Sequence, residues 1–372
     1  MICNNLFLTN YRNIKEAEIR FAPGVNVLVG DNAQGKTNAL EAVYLFAIGK
    51  SFRATKEREL ISFGEERSEV GMTYETHGRE QSAKIKYQAL GRRQIYRNKV
   101  KLERISDLVG EFRAVLFCPE HLSLIKDGPS ARRNFLDVAI SQLRPVYLKS
   151  LQRYNIILAN RNKLLKEAED NRAHFERTVD VLSYQLACEA GTIAAARAKY
   201  VEELKKYVSE CFFDMTGERE VPEISYAGSA KLEDGAAYFD AAHVRDAYYD
   251  LLTSKTEREI AAGSTLYGVH KDDIEISLNG RSARLFASQG QQRSLALALK
   301  LSEGQIARDH DGEEPVYLFD DVLSELDSNR RDFVCRNLEG RQVIMTTCEK
   351  DIAFRGCPNL IAVKSGTYVS FT

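Results

Sequence analysis

The most constraining feature of the chain is a glycine-rich segment that lies between two apolar runs. The preceding run, Val25–Val29, has the character of a buried strand, and the following run, 38–46, has the character of a helix. The segment itself matches the pattern G-x-x-x-x-G-K-[ST] and reads Gly30-Asp31-Asn32-Ala33-Gln34-Gly35-Lys36-Thr37. A phosphate-binding loop requires this order of strand, loop and helix, so we predict an α/β fold with a nucleotide site.

The residue types of this loop suit a nucleoside triphosphate with Mg²⁺. Glycines allow backbone N–H groups to turn inward around the phosphates, and a helix N-terminus favours anions. Lys36 is predicted to reach the β- and γ-phosphates, which makes it a catalytic candidate, and the Thr37 hydroxyl is predicted to ligate Mg²⁺. The competing interpretation is a glycine-rich turn without chemical function.

A second apolar run near the other end of the chain finishes in two carboxylates, Asp320 and Asp321. This pattern is typical of a Walker B strand. Asp320 is predicted to hold Mg²⁺ together with Thr37, and Asp321 to orient or deprotonate the attacking water. Taken alone, the segment is equally well explained as a strand that runs into an acidic turn.

A segment shortly before that strand distinguishes this chain from other P-loop proteins. It reads Ser288-Gln289-Gly290-Gln291 and opens a predicted helix, so its backbone N–H groups and the Ser288 hydroxyl can face an anion. It resembles the S-G-G-Q signature of ABC-type ATPases, which in that class binds the γ-phosphate of ATP held by the opposite subunit. A simple helix cap is the alternative.

Composition limits the remaining function classes. The chain has 372 residues, of which 44% are hydrophobic and 28% charged, which predicts a globular protein of about two domains. Its formal net charge is -1, so any affinity for nucleic acid must come from a local patch. The 7 cysteines include no C-x-x-C pair, which argues against a disulfide framework or a zinc site. We expect a cytoplasmic protein without a membrane segment.

Helical periodicity dominates the middle of the chain. Apolar residues recur at helical spacing between about 122 and 213, with a break at 168–172 that predicts an antiparallel helical hairpin. We therefore predict an ABC-type core of two lobes, 1–121 and 214–372, with an inserted helical domain at 122–213. The same stripe would also fit ordinary core helices. The dipeptide Asn279-Gly280 predicts a β-hairpin.

Further motifs carry a more specific resemblance. They lie at 6–13 (LFLTNYRN), 117–122 (FCPEHL), 128–137 (GPSARRNFLD), 268–273 (GVHKDD) and 320–327 (DDVLSELD). With the phosphate loop and the S-Q-G-Q segment, they resemble the RecF family of bacterial recombination mediators over essentially the full chain. That family is similar in fold to the head domains of SMC and Rad50-type proteins. Val269 and Lys271 depart from it, since Pro and Arg are common there.

The resemblance implies an ATP-dependent homodimer that binds gapped DNA at single-strand/double-strand junctions. It implies that the protein acts together with RecR and RecO to promote loading of RecA. This loading serves recombinational repair, replication recovery and SOS induction. It also implies a slow, DNA-dependent ATPase. Two residues fit slow hydrolysis: Asp321 stands where ABC transporters carry Glu, and the segment 343–347 ends in Thr where transporters carry a switch His. As part of the N-terminal motif, Arg12 is a candidate phosphate contact.

Two basic segments are candidate DNA surfaces. The first, 84–104, contains Arg92, Arg93, Arg97, Lys99 and Lys101. Strand alternation would place many of its cations on one face for phosphate contacts, although a solvated edge strand protected by lysines explains them equally well. The second candidate is Arg132 with Arg133, which could instead pair with Asp137 or nearby acids.

Two other function classes share the nucleotide motifs. One is the nucleotide-binding subunit of an ABC transporter, against which the absent switch His and the helical insertion count. The other is a scaffold that binds ATP without hydrolysing it. Phosphate release that Asp321→Asn abolishes would exclude the scaffold.

Overall fold

The structure is a computed structural model that describes residues 1–217, 220–232, 235–348 and 358–371. The chain forms two compact units, which we describe separately. The first unit contains Met1–Leu122 and Leu299–Thr372, and the second contains Ser123–Ala298. Both units combine strands and helices, so the predicted α/β class is confirmed.

The first unit contains a six-stranded, mostly parallel sheet. Its strands and helices are β3 (Val25–Val29), α1 (Lys36–Ile48), β8 (Ala114–Phe117), β12 (Val316–Asp320), α9 (Ser328–Asn337), β13 (Val343–Thr347), β14 (Asn359–Lys364) and β15 (Thr367–Phe371). The strand order is β15-β14-β3-β13-β12-β8, in which β15 alone is antiparallel to its neighbour. Strands β8, β12 and β13 are largely apolar and are buried along almost their whole length, as expected where both faces of a parallel sheet are covered.

An antiparallel sheet completes the first unit. Its strands are β1 (Ile2–Tyr11), β2 (Ile14–Arg20), β4 (Arg67–Thr76), β5 (Arg79–Gln88), β6 (Gln94–Arg97) and β7 (Val100–Leu102), in the order β2-β1-β4-β5-β6-β7. Apolar side chains alternate with polar ones, as expected where one face packs on a core and the other meets water. Leu6, Leu8, Val70 and Ile85 are buried, for example, whereas Phe7 and Lys84 are exposed.

The second unit is mainly helical. It comprises α2 (Pro129–Leu143), α3 (Pro145–Lys166), α4 (Arg172–Thr216), β9 (Pro222–Ala227), α5 (Ala241–Ser254), α6 (Thr256–Ala262), β10 (Asp273–Leu278), β11 (Arg281–Ser282) and α7 (Ala283–Phe286). The predicted helical hairpin is confirmed as α3 and α4, and the Asn171 side chain caps α4 by accepting from the His174 N–H. The predicted β-hairpin is confirmed as β10 and β11.

The compact units do not follow the predicted domain boundaries throughout. Residues 214–298, which we assigned to the ATPase core, group with the helices because α5 packs along α4 and β10 packs against α2. The first boundary between the compact units lies near residue 122. Helix α8 (Gln289–Asp311) contains the second boundary of the compact units. The assignment of 122–213 as a functional insertion remains a prediction.

Two further observations concern the cysteines and the possibility of a membrane-spanning helix. The described cysteines carry free thiols, and Cys357 lies outside the described residues. Within the described ranges, the helices lack the combination of length and apolar character needed to cross a bilayer.

Candidate nucleotide site

The carboxyl ends of three neighbouring parallel strands form the candidate site. β13 lies between β3 and β12, so the loop after β3 and the residues that end β12 meet at one edge of the sheet. This arrangement brings together Thr37 and Asp320, whose partnership the two sequence motifs predicted. Crevices at the carboxyl ends of strands are where open α/β sheets bind their ligands.

Two glycines shape the phosphate loop. A Cβ atom at Gly30 would lie 2.3 Å from the Val363 carbonyl oxygen, so a side chain cannot fit there. Gly35 has φ +114°, a backbone conformation that side chains disfavour, and it occupies the N-cap of α1. Glycine is therefore required at both ends of the loop for different physical reasons.

The hairpin of β14 and β15 holds the loop from one side. The Gln34 side-chain oxygen accepts from the Ser365 N–H at 2.6 Å, and the Gln34 carbonyl accepts from the Gly366 N–H at 2.9 Å. The Tyr368 hydroxyl donates to the Gly35 carbonyl at 2.9 Å. These contacts hold the middle and end of the loop.

The Lys36 side chain is buried and folds back over the loop. Its Nζ donates to the carbonyl oxygens of Gly30 and Asp31, the second at 2.9 Å, and lies 3.3 Å from Cys348 Sγ. The ammonium group thus already occupies the centre of the loop, where an anion would meet it. Asp31, Asn32 and Ala33 are exposed on the loop surface.

A chain of hydrogen bonds joins Thr37, Asp320 and Thr346. The Thr37 hydroxyl donates to Asp320 Oδ1 at 2.7 Å, and the Thr346 hydroxyl donates to the same oxygen at 2.9 Å. Burial raises the pKa of the Asp320 carboxyl, and the two hydroxyls oppose this shift because they stabilise the ionised form.

Asp321 adopts a conformation that is unusual for a residue other than glycine. Its φ is 54°, in the left-handed region that Asp and Asn tolerate better than other side chains. Its N–H donates to the Thr346 hydroxyl at 3.1 Å, and its carbonyl accepts from the Ser324 hydroxyl at 2.7 Å. The Asp321 side chain is exposed at the rim of the site, as a residue that orients water would be.

The donor set fits Mg²⁺. The ion prefers hard oxygen ligands and commonly takes one or two protein oxygens together with substrate phosphates. Thr37 Oγ1 and Asp320 Oδ1 are such oxygens, and they converge within 2.7 Å of each other beside the phosphate loop. When bound there, Mg²⁺ would neutralise phosphate charge.

Arg12 lies next to helix α1 and pairs with a buried carboxylate. Its Nε and Nη2 donate to the two oxygens of Glu41 at 2.9 and 2.7 Å. Glu41 is fully buried and also accepts from the hydroxyls of Tyr11 and Ser51. This pairing engages the guanidinium that we predicted to contact phosphate, so that role would require Arg12 to exchange partners.

The S-Q-G-Q segment forms a helix cap in the second unit. The Ser288 hydroxyl accepts from the Gln291 N–H at 3.3 Å, while the Gln291 side chain accepts from the Ser288 N–H at 2.6 Å. This reciprocal pair is a capping box, which agrees with the alternative that we considered for Ser288. Ser288 and Gln289 are exposed and Gly290 is half-buried, so the segment remains accessible to a second molecule.

The first basic segment occupies β5, β6, β7 and their turns, where ion pairs hold several cations. Arg93 pairs with Glu57 and Arg97 pairs with Glu111. Arg97 lies opposite Ala83, on the face of the sheet away from Lys84, so strand alternation divides the cations between the two faces. Arg92, Lys99 and Lys101 are exposed.

Arg132 does not suit a DNA contact in this structure. The residue is buried, and its Nε and Nη2 each donate to Asp273 at 2.8 Å. Its Nη1 donates to the carbonyl of Asp127 at 2.7 Å. The alternative of pairing with an acid is therefore favoured, although the partner is Asp273 and Asp137 pairs instead with Arg197. We drop Arg132 from the DNA-binding candidates.

Arg133 and the 268–273 motif belong to the same polar network. Arg133 is half-buried, and its Nη1 donates to the Asp272 carbonyl at 2.8 Å. The Asp272 carboxylate is buried and accepts from the hydroxyls of Tyr226 and Tyr248. His270 lies 2.6 Å from the Tyr154 hydroxyl through Nδ1, and burial lowers its pKa to about 4. Two motifs that are distant in sequence therefore stabilise one unit.

Sequence reasoning missed Thr346, Cys348 and the supporting residues Ser365 and Tyr368. We noticed Thr346 only as part of a strand that lacks a switch His. Its hydroxyl contacts both carboxylate residues of the Walker B segment. The position of Thr346 in the sequence could have identified it, because the strand that follows a Walker B strand ends beside the phosphates.

Comparison with known proteins agrees with this geometry. Residues 2–368 match the family described as RecF/RecN/SMC N terminal domain. The chain is 37% identical over 346 residues to the DNA replication and repair protein RecF of Clostridium novyi (strain NT), covering 93% of this chain and 92% of the relative. It is 36% identical over 352 residues to the protein of that name from Acetivibrio thermocellus, covering 95% of this chain and 94% of the relative.

Solved structures give the same result. A structure of the recombination mediator protein RecF with ATPrS, described as belonging to the RecFOR pathway, has a TM-score of 0.93 and 34% identity, and the match covers 100% of this chain and 98% of that one. An Smc head bound to the C-winged helix domain of ScpA has a TM-score of 0.59 at 17% identity, covering 100% of this chain and 98% of that chain, which concerns the fold alone.

Proposed function

The chain belongs to the RecF family within the wider RecF/RecN/SMC group, and from this premise we propose that it is an ATP-dependent, DNA-binding recombination mediator. The observation that carries the proposal is the joined nucleotide site, in which Thr37 of the phosphate loop contacts Asp320 of the Walker B strand. A relative solved with ATP and described as a recombination mediator supports the same ligand.

ATP binding in this site rests on three groups. Lys36 would exchange its contacts with the Gly30 and Asp31 carbonyls for the β- and γ-phosphates, which are stronger acceptors. The helix N-terminus at Lys36 adds the favourable end of the α1 dipole. Thr37 and Asp320 would hold Mg²⁺.

The proposed homodimer uses the signature segment as its contact surface. In the proposed assembly, Ser288 and Gly290 of one copy close over the ATP held by Lys36 and Thr37 of the other. Ser288 and Gln289 are exposed in the single chain, which leaves this surface available to a partner copy. Two nucleotides would then join two chains, and loss of the γ-phosphate would weaken the contact between them.

DNA is the proposed macromolecular partner, and the mediators RecR and RecO are the proposed protein partners, since the solved relatives are described within the RecFOR pathway. The preferred DNA would be a gap with a single-strand/double-strand junction, and the consequence would be RecA loading in repair, replication recovery and SOS induction. If DNA binds the closed dimer more tightly, then ATP and DNA must strengthen each other's binding by the same factor. With DNA as the partner, the proposed location is the cytoplasm.

Turnover is proposed to be slow and stimulated by DNA. Asp321 is a shorter carboxylate than the Glu of transporters, and Thr346 stands near the position of their switch His. Asp321 would accept the proton of the attacking water, with its orientation set by the backbone contacts to Thr346 and Ser324. Hydrolysis would then time the release of DNA.

The test measures DNA binding and mass together. Labelled gapped DNA is titrated with the protein in the presence of ATP, of ADP or of no nucleotide, and fluorescence anisotropy reports binding. Light scattering measures the mass of the protein under the same conditions. We expect the protein to be a dimer when ATP is present. We expect it to bind DNA about 5- to 150-fold more tightly with ATP than with ADP, which is the range typical of coupled sites. Lys36→Arg is the matched variant and should lose both effects.

The remaining outcomes separate the alternatives. Unchanged ATP dependence in Lys36→Arg would contradict the proposed site. Binding that is indifferent to nucleotide would favour the scaffold, and co-purification with a membrane protein would favour the transporter subunit. Phosphate release from wild-type protein but not from Asp321→Asn would exclude the scaffold.

A further inference from the structure

The exposed face of the antiparallel sheet carries a pattern that the nucleotide site does not use. A row of directly paired residues crosses five of its strands: Phe7 on β1, Gly71 on β4, Lys84 on β5, Tyr96 on β6 and Lys101 on β7. Paired residues point to the same face of a sheet. Two aromatic rings and two lysines therefore share this face, with a glycine between them.

The glycine leaves an open depression in the sheet surface. A Cβ atom at Gly71 would lie 3.6 Å from Phe7 Cβ and 3.8 Å from Lys84 Cε, so a side chain there would occupy the space between those residues. The depression is a pocket of about 570 Å³ whose lining includes Phe7, Lys84, Tyr96 and Lys99. Gly71 adds no side chain to this pocket, which leaves room for a flat group.

The aromatic rings are accessible. Phe7 is 40% exposed although it is a large apolar residue, and the rest of its strand follows the ordinary pattern with Leu6 and Leu8 buried. Tyr96 is half-buried, whereas Tyr87, in the same basic segment, is buried on the other face. Lys86 Nζ lies 6.0 Å from the centre of the Tyr96 ring, so a cation already uses that ring face.

Spacing decides how many groups the rings can accept. Phe7 and Tyr96 lie three strands apart, a separation of roughly 14 Å at the strand spacing of a β-sheet. One planar group cannot contact both rings face to face, so each ring would take a different one. A chain that carries flat groups and negative charge at regular intervals satisfies both rings and the lysines.

Lysines cluster on this face beside Tyr96, and carboxylates share the face: Glu18 on β2 lies directly opposite Phe7 and pairs with Arg20. Lys84, Lys86, Lys99 and Lys101 lie on it or at its edge, and Glu69 pairs with Lys84 and with Lys86, the latter at 3.1 Å. Glu69 holds two of the ammonium groups and opposes an approaching anion. Exposed cations with intervening aromatic rings are the usual composition of surfaces that bind single-stranded nucleic acid.

We propose that this sheet face binds unpaired nucleotides of single-stranded DNA, with bases stacked on Phe7 and Tyr96 and phosphates on the four lysines. The inference rests on the proposed function and deepens it, because it provides a contact that a continuous duplex, whose bases are already stacked, cannot make. The absence of a side chain at Gly71 keeps the space beside Phe7 open.

The experiment compares a labelled dT oligonucleotide with one of the same length that contains abasic sites. Phosphates are equal in the two probes, so only stacking distinguishes them, and we expect the abasic probe to bind more weakly. Tyr96→Ala and Phe7→Ala should each weaken dT binding about 5- to 150-fold and reduce the preference over the abasic probe, and the double variant should remove that preference. Tyr96→Phe keeps the ring and should bind like wild type.

Two substitutions test the pocket and the charge in opposite directions. Gly71→Val fills the depression at a φ that side chains accept and should weaken dT binding, while Glu69→Gln should strengthen it and steepen its salt dependence. Thermal melting and ATP binding are measured on each variant to show that the fold is intact.

Several outcomes would overturn the inference. Equal binding of dT and abasic probes would leave a phosphate surface without stacking. Competition by an acidic peptide as strong as that by dT would assign the face to a protein partner. If gapped DNA still binds with ATP while these variants behave like wild type, the sheet-face inference fails and the proposed function stands. Loss of ATP-dependent binding in wild-type protein would contradict the proposed function itself.

Discussion

The Thr37 hydroxyl donates a hydrogen bond of 2.7 Å to the Asp320 carboxylate, although 283 positions separate the two residues in the chain. The contact exists because β3 and β12 flank β13 in one parallel sheet. It joins the phosphate loop to the strand that carries the acidic pair. Nucleotide binding should therefore be sensitive to either residue.

Thr37→Val removes this hydroxyl while keeping the branched shape of the side chain. A hydrogen bond to a charged group contributes about 1.5–3 kcal/mol, so we expect Mg²⁺–ATP affinity to fall at least 10-fold. Titration with a fluorescent ATP analogue measures the change. Thr37→Ser restores the hydroxyl and should restore most of the affinity, and wild-type affinity in Thr37→Val would contradict the assigned role.

Asp321→Asn should separate ATP binding from hydrolysis. Asn tolerates the left-handed backbone at this position, so the turn should be kept while the carboxylate is lost. We expect phosphate release to fall by about 100-fold or more, as for loss of a general base, and the ATP-bound dimer to persist longer. Phosphate release and light scattering are followed in one reaction. Hydrolysis at the wild-type rate would remove Asp321 from the mechanism.

Arg12→Ala should destabilise the first unit. It leaves the buried Glu41 carboxylate with hydroxyl partners and without its cation. Breaking a buried pair by removing one partner typically costs about 3–5 kcal/mol. Urea unfolding measures the loss, and a double-mutant cycle with Glu41→Gln isolates the coupling between the two residues. Additive effects of the two substitutions would show that the ion pair contributes little.

Arg132→Ala and Arg133→Ala should differ although the residues are adjacent. Arg132 is buried against Asp273, so its loss should lower stability by about 3 kcal/mol or more. Arg133 is half-buried, with a hydrogen bond to a carbonyl, so its loss should cost about 1 kcal/mol. Thermal melting ranks the two variants, and the affinity of correctly folded Arg132→Ala for DNA should match wild type.

Stability should fall between pH 7 and pH 5 because of His270. Burial lowers its pKa to about 4 in the folded chain, whereas an unfolded His titrates near 6.5. The unfolded state therefore binds the proton first as the pH falls, and this favours unfolding by about 2 kcal/mol at pH 5. Urea unfolding at several pH values tests this, and His270→Gln should reduce the pH dependence. An equal slope in the variant would assign it to other groups.

Local patterns predicted the elements of the nucleotide site but not all of its contacts. Gly30, Gly35 and Lys36 could be read directly because the loop is set by neighbours in sequence. Thr346 could not, since its role depends on β13 lying between β3 and β12. The register of distant strands is not encoded in any short segment.

Burial explains the other differences. Arg132 and Arg133 carry the same charge, and only the packing of α2 decides that the first is enclosed and the second partly exposed. Likewise, Tyr87 and Tyr96 look equivalent in sequence, but they end on opposite faces of the antiparallel sheet. Residue type predicted what these side chains can do, and the fold decided which of them can do it.

The left-handed backbone at Asp321 also limits how this protein could evolve. A longer carboxylate such as Glu would reach further from the backbone, yet Glu in this conformation would cost roughly 1 kcal/mol that Asp and Asn largely avoid. A descendant with faster turnover would therefore have to reshape the turn and exchange the residue together. Two coordinated changes arise more rarely than one. The conformation of this single turn therefore favours retention of the proposed slow rate of ATP hydrolysis during evolution.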